Sequence, residues 1–388
     1  MDFEVSQEHE MIKKGIAEIA SDYDEEYWRE RRYPNEFPEE FWQDLADGGW
    51  LGVSIPEEYG GMGMGMQEMC LVIEELGKHG CWEAGNLLLL NSVFGGITVA
   101  EYGNDHHKED LLPKLVNGEQ RWCLGVTESD AGLNTKNLST VAEKDGDEWV
   151  LNGQKMWTSG AKDAAYCTLI ARTTPVEDVP KDSLGISLFL VPMDADGITL
   201  RQIELDGYFP DKTYEFDLDG VRIDEDMLLG EKDKGLYHVF DTLNTERIAA
   251  AAIGTGSGYA ALDLATDYAS DREVFDEPIG SHQAIQHPLA DAYADLETAS
   301  LYIKKAAWKY DQGMECGKEA NVAKLKGAEA AYDACEAAMT TFGGMSIASD
   351  IGISPIWQSA RHYRIAPVSE QMVRNYIGEH VLGLPKSY

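Results

Sequence analysis

Basic residues are scarce in this chain. Its 388 residues carry 32 Lys and Arg against 69 Asp and Glu, a formal net charge of −37. A surface of that sign repels phosphate backbones and anionic headgroups, so neither nucleic acid nor a membrane is expected as a partner. Cysteine is sparse too. Cys70, Cys81, Cys123, Cys167, Cys316 and Cys335 form no CxxC pair and have no histidine at zinc-site spacing. They read as small buried residues in a reducing compartment. The nine histidines offer no HExxH pair, His106-His107 reads as an exposed turn, and no metal is expected. No apolar run approaches the length needed to span a bilayer. Met1-Asp2-Phe3-Glu4 lacks the basic start of a secretory signal, so a cytoplasmic location is expected. Nucleotide motifs are missing as well. Gly60 to Gly65 is not followed by Gly-Lys-Ser/Thr. Gly254-Thr255-Gly256-Ser257-Gly258 lacks both the spacing and the preceding strand of a dinucleotide fold, and close helix packing explains it better.

What is present describes a folded protein of two or three domains, with 44% hydrophobic residues. Residues 1–120 read as helical, with an amphipathic stretch begun by Met11, Ile16 and Ile19. Residues 121–230 turn to short β-rich runs such as Tyr166 to Ala171 and Ile186 to Val191. Asp145-Gly146, Asn152-Gly153 and Asp219-Gly220 punctuate them. Asn152-Gly153 predicts a hairpin turn with Trp157, Thr158 and Ser159 on the returning strand. Residues 231–388 return to long Ala-rich helices at about 236–270, 281–312 and 318–341, with a shorter one near the end. The expectation is an α+β protein with an N-terminal helical domain, a middle β-barrel domain and a C-terminal domain resembling a four-helix bundle. The acids are spread along the chain. They predict an acidic surface suited to a salt-rich cytoplasm, where a Debye length of roughly 3 Å at 1 M screens self-repulsion. A basic protein partner is the other reading of the same charge.

Five segments, in order, carry a resemblance. They are Leu51 to Gly61; Trp122 to Arg172; Glu246-Arg247 with Arg272-Glu273-Val274-Phe275 and Gln283-Ala284-Ile285-Gln286; Phe342-Gly343-Gly344; and Arg374-Asn375 through Leu382-Gly383. Across nearly the whole chain they resemble the acyl-CoA dehydrogenase family. The resemblance implies non-covalent FAD between the β domain and the C-terminal bundle. Val126 and Thr127 would border its ring, Trp157 cover it and Ser159 bond near N5. Arg272, Phe275 and Gln283 would reach the FAD of a neighbouring subunit in a homotetramer. Two positions depart from the family pattern: Leu133 replaces a Ser or Thr at the pyrophosphate, and Thr340 replaces a Gln before Phe342-Gly343-Gly344.

Dehydrogenation of a thioester needs a shielded carboxylate to take the α-proton. Many family members supply it from a Tyr-Glu-Gly-Thr motif, where this chain has Ala366-Pro367-Val368-Ser369, and proline cannot act as a base. A branch that includes isovaleryl- and long-chain acyl-CoA dehydrogenases takes its base from an earlier helix, where a glutamate directly precedes an arginine. Glu246-Arg247 matches that pattern. Glu246 is the expected base, with Glu370 as the other candidate, and Asn244 and Arg247 are expected at the CoA. A role for Glu246 as a helix residue paired with Arg247 stays open. The resemblance implies an acyl-CoA substrate, a trans-2-enoyl-CoA product and an electron-transfer flavoprotein as partner. A flavin oxidase or monooxygenase, or a non-catalytic flavin-binding module, remains an alternative on the same fold.

Overall fold

The computed structural model describes residues 6–32, 34–207 and 209–387; the Met1–Glu4 start lies outside them. The chain opens with helices α1 (Gln7–Ala20), α2 (Glu25–Arg32), α3 (Glu39–Asp47), α4 (Met66–Lys78) and α5 (Ala84–Leu88). A π-helical stretch (Leu89–Ile97) leads into α6 (Thr98–Tyr102) and then α7 (Leu112–Val116). Ser6 starts α1 by accepting the His9 N–H at 3.0 Å. Ile12, Ile16 and Ala20 form its buried stripe at i, i+4 spacing. Met11, one position off that stripe, is 73% exposed, against the expectation that it faces the core. His107 also departs from the exposed turn read for it. It is buried in a helical turn (His107–Leu111) whose first amide bonds to Asn104 Oδ1 at 2.9 Å, while His106 is exposed and pairs with Asp110 at 2.7 Å.

The middle of the chain is an eight-stranded sheet: β1 (Arg121–Gly125), β2 (Val141–Asp145), β3 (Glu148–Ser159), β4 (Ala164–Arg172), β5 (Ile186–Pro192), β6 (Ile198–Ile203), β7 (Thr213–Asp224) and β8 (Leu228–Leu229). Its order is β6-β7-β3-β2-β4-β5-β8, with β1 alongside β4. β2 and β4 share the single pair Val141–Arg172. The sheet coils there, and Trp149 of β3 meets Phe189 of β5 edge-on across the core at 5.4 Å.

Asn152-Gly153 is not a hairpin turn. β2 and β3 are joined through Gly146 and Asp147, with Gly146 in the left-handed region (φ 65°). Asn152-Gly153 lies inside β3, opposite a bulge in β7. Pairing runs Leu151–Val221 and then Gly153–Leu218, so Asp219-Gly220 is looped out, and the Gly220 N–H donates to Asn152 Oδ1 at 2.8 Å. A Cβ on Gly153 would stand 2.6 Å from Thr140 Cα, so this glycine serves close approach between strands. Trp157 to Ser159 therefore continue one strand and do not return along a second.

The C-terminal region holds α8 (Gly235–Asp271), a two-stranded ribbon of β9 (Glu273–Val274) and β10 (Glu277–Pro278), then α9 (Gln283–Asp311), α10 (Gly317–Phe342), α11 (Ile353–Tyr363) and α12 (Glu370–Tyr376). α8 has the length and composition of a bilayer span, contrary to the sequence expectation, yet 89% of its most apolar stretch is buried inside the protein. A helix surrounded by others needs no polar face. Its glycines allow close contact: a Cβ on Gly77 of α4 would stand 2.6 Å from Gly256 Cα. Beside them, buried Glu74 of α4 accepts hydrogen bonds from Thr255 of α8 (2.8 Å) and Ser300 of α9 (3.1 Å). Asp311, at the end of α9, caps α4 by accepting the Met66 and Gln67 amides at 2.7 and 3.0 Å. All six cysteines are free and buried.

Candidate active site

Glu246 lies on the face of α8 that carries Val239, Thr242, Ala249 and Ile253, all buried. Its side chain is fully buried and neither carboxylate oxygen has a hydrogen-bond partner. Burial pushes its pKa up to about 7 against the opposing pull of the Arg247 and Lys324 charges. A dry carboxyl that titrates near neutral pH is what a general base requires. Asn244 sits beside it and accepts a hydrogen bond from Arg247 Nη1 at 3.3 Å, while Arg247 Nε is buried and unpartnered. Glu370 is in a different state. Arg364 donates to it at 3.0 Å and Arg374 lies 3.4 Å away; these cations outweigh the effect of burial and hold its carboxyl below the usual range. An ion-paired carboxylate is the weaker base of the two.

A second group forms where β1 ends. The Thr127 carbonyl accepts the Met156 N–H at 2.8 Å, which places Val126 and Thr127 next to Trp157. Trp157 has φ 61° and is 54% exposed. A non-glycine residue with positive φ and an indole facing solvent marks a site, because packing alone gives no reason for either. The neighbouring Thr158 hydroxyl is buried without a partner, and Ser159 Oγ bonds Thr213 Oγ1 at 3.3 Å. Beneath them lies a buried ion pair that sequence reasoning missed. Lys155 Nζ is 2.7 Å from Glu128 Oε1, and the same carboxylate accepts the Ser139 and Thr140 amides at 2.5 and 3.1 Å. Burial raises the Glu128 carboxyl, but the charge and hydrogen bond of Lys155 and the bonds from Thr140 and Ser139 win, holding it at about 2.

Arg272, Phe275 and Gln283 are elsewhere. The β9–β10 ribbon turns through Phe275 and Asp276, both at positive φ (58° and 66°), and Phe275 is 88% exposed. Arg272 and Phe275 line a cleft of about 270 Å³ with Ile279, His282 and Thr341, and Gln283 is exposed at the start of α9. Arg272 follows the end of α8, on the order of 40 Å along that helix from Glu246 at 1.5 Å per residue. One flavin ring cannot touch both within a single chain. Leu133 is 65% exposed and Thr340 is exposed near the end of α10.

Comparison with known proteins decides the family. Models described as acyl-CoA dehydrogenase N-terminal, middle and C-terminal domains match residues 6–119, 123–221 and 233–382. An acyl-CoA dehydrogenase of Mycobacterium tuberculosis is 37% identical over 385 residues, covering 99% of this chain and 98% of that protein. The chain belongs to the acyl-CoA dehydrogenase family. As an acyl-CoA dehydrogenase family member it is an oxidoreductase with the family's three-domain, FAD-binding fold. Two solved relatives have the same shape. A glutaryl-coenzyme A dehydrogenase in complex with glutaryl-CoA superposes with a TM-score of 0.95 at 30% identity, covering 100% of this chain and 98% of that one. PigA, solved with FAD and proline, superposes with a TM-score of 0.93 at 25% identity, covering 99% and 100%.

Proposed function

We propose that this protein is an FAD-dependent acyl-CoA dehydrogenase that converts an acyl-CoA thioester to the trans-2-enoyl-CoA and passes electrons to an electron-transfer flavoprotein. The observation that carries the reading is the Glu246 carboxyl: wholly buried, without a hydrogen-bond partner, and raised to about 7. The residues present fit FAD. The solvent-facing indole of Trp157 and the half-buried Ser159 hydroxyl, with half-buried Val126 and Thr127 beside them, offer a face and a polar edge to a flat ring. FAD bound there supplies the acceptor for hydride from the β-carbon, which no side chain provides. Glu246 takes the α-proton, Asn244 and Arg247 meet the CoA portion, and Trp157 helps keep water from the reacting carbons. Support for the electron-transfer partner comes from the family likeness.

An anaerobic titration with a panel of acyl-CoAs tests this. One chain-length or branched class is expected to bleach the oxidised-flavin absorbance. Bound FAD that no acyl-CoA reduces would sink the proposal and move the oxidase, monooxygenase and non-catalytic readings ahead.

The same proposal holds that the enzyme works as a homotetramer in a salt-rich cytoplasm. The distance separating the exposed Phe275 ribbon from Glu246 supports contact with a neighbour's FAD, and the charge of −37 supports the salt. Raising KCl from dilute buffer to molar concentration is expected to lift the thermal midpoint by on the order of 10 °C. Sedimentation of the molar-salt sample should give a tetramer. An unchanged midpoint counts against salt adaptation, and a monomer counts against the shared site.

A further inference from the structure

α8 and α10 run side by side in the same direction, and their contact register is read from glycines. A Cβ on Gly327 would lie 2.9 Å from Ala251 Cβ, and one on Gly258 would lie 3.1 Å from Ala331 Cα. One turn back from Ala251 and Gly327 stand Glu246-Arg247 on α8 and Lys324 on α10. Lys324 is 2% exposed. Its ammonium donates to the Tyr363 carbonyl of α11, and it falls on the stripe of small buried residues Ala320, Ala323, Gly327 and Ala331. A neutral donor would satisfy that carbonyl at a lower desolvation cost. The ammonium therefore calls for an electrostatic reason.

The charges around it supply one. The Glu246 carboxyl is acted on by Arg247 of its own helix and by Lys324. Lys324 is in turn acted on by Glu246, Arg247 and Glu370, with burial the largest influence, lowering it to about 8. Glu370 is engaged by Arg364 and Arg374. His362, beside Tyr363, is lowered to about 4 by burial and by Lys324, so it is neutral at working pH. Around Arg247 the titratable groups are Glu246, Tyr376 and Cys316. Glu246 is thus the acid within reach of Lys324 that has no hydrogen-bonded cation of its own.

We propose that Lys324 is a positioning residue whose buried charge, anchored on the Tyr363 carbonyl, keeps the Glu246 base in its carboxylate form. The inference rests on Glu246 being the base. Without Lys324, Arg247 alone would oppose burial, and Glu246 would be protonated over more of the neutral range. With it, the carboxyl stays dry and reactive while a fraction large enough for turnover is ionised.

The test compares Lys324→Met, Lys324→Gln and Lys324→Arg with the wild-type holoenzyme. Two readouts are followed against pH: flavin reduction by acyl-CoA in rapid mixing, and the infrared carboxyl band of oxidised, substrate-free protein assigned by its loss in Glu246→Gln. An opposite charge within about 4–6 Å lowers a carboxyl by about 1–3 units. Lys324 makes no direct hydrogen bond to Glu246 and acts beside Arg247, so both midpoints should rise by about 1 unit in Lys324→Met, with reduction at pH 7 slowed about fivefold. Lys324→Arg should return both toward wild type. Lys324→Gln keeps a donor to Tyr363 but no charge, and should shift like Lys324→Met; it decides the matter if Lys324→Met does not fold. Wild-type midpoints in a folded, FAD-loaded neutral variant would overturn the proposal. Normal reduction in Glu246→Gln would instead remove the base assignment on which it rests.

Discussion

Glu246→Gln should fold, retain FAD and remain oxidised when acyl-CoA is added, with reduction slowed by about 10²–10⁴-fold, the usual contribution of a general base. The amide fills the same space without charge. Neither oxygen of the native carboxylate holds a hydrogen bond that the change would break, so the loss reports chemistry and not collapse. In the wild type the rate of reduction should climb with pH through about 7 as the carboxyl ionises, and this limb should be absent from the variant. Stopped-flow reduction at several pH values measures both. Near-normal reduction would relocate the base to Glu370 or elsewhere, although Glu370 already stands between two arginines.

Lys155→Met is expected to cost about 3–5 kcal/mol, because it strands the buried Glu128 charge. Glu128 is 5% exposed and Lys155 fully buried, so water cannot replace the lost partner. Desolvation lowers the Lys155 pKa even beside Glu128, while the Glu128 carboxyl is held at about 2, so the pocket favours the negative charge over the positive one. The sign with pH follows. A carboxyl depressed in the folded state stabilises it fully above its unfolded value near 4.5, and that stability is lost as pH falls through about 2. Urea midpoints of wild type and variant should therefore differ most at neutral pH and converge in acid. A midpoint unchanged at pH 7 would show that the pair contributes nothing. Adding Glu128→Gln to Lys155→Met should recover part of the loss.

The long helices are legible because small apolar residues recur along them, despite the glycines at 254 to 258 and Pro288: the expected 236–270, 281–312 and 318–341 form as Gly235–Asp271, Gln283–Asp311 and Gly317–Phe342. The strands around Tyr166 and Ile186 were legible for the converse reason. Asn152-Gly153 misled because Asx-Gly suits a tight turn and a strand bulge equally, and the choice depends on Asp219-Gly220 in a distant strand. Glu246 is singled out in the sequence by a two-residue pattern, and its role as base belongs to the proposed function. Lys155 and Lys324 are not singled out, because a single lysine in a strand or helix looks solvated until its neighbours are known. For Lys324 one signal existed: it interrupts a stripe of alanines and glycine on the buried face of α10.

The contact between Gly77 and Gly256 bears on how such a chain changes over generations. A Cβ on Gly77 would stand 2.6 Å from Gly256 Cα, and one on Gly256 2.8 Å from the Glu74 carbonyl oxygen. No side chain fits on either side of this seam unless a backbone moves. The first helical region and the last are therefore not interchangeable modules: recombination that imports one without the other risks placing a methyl group where two main chains touch. Inheritance should treat them as one unit, and the β domain is tied to the same unit, because a Cβ on Gly235 of α8 would stand 2.3 Å from the Leu188 amide nitrogen of β5.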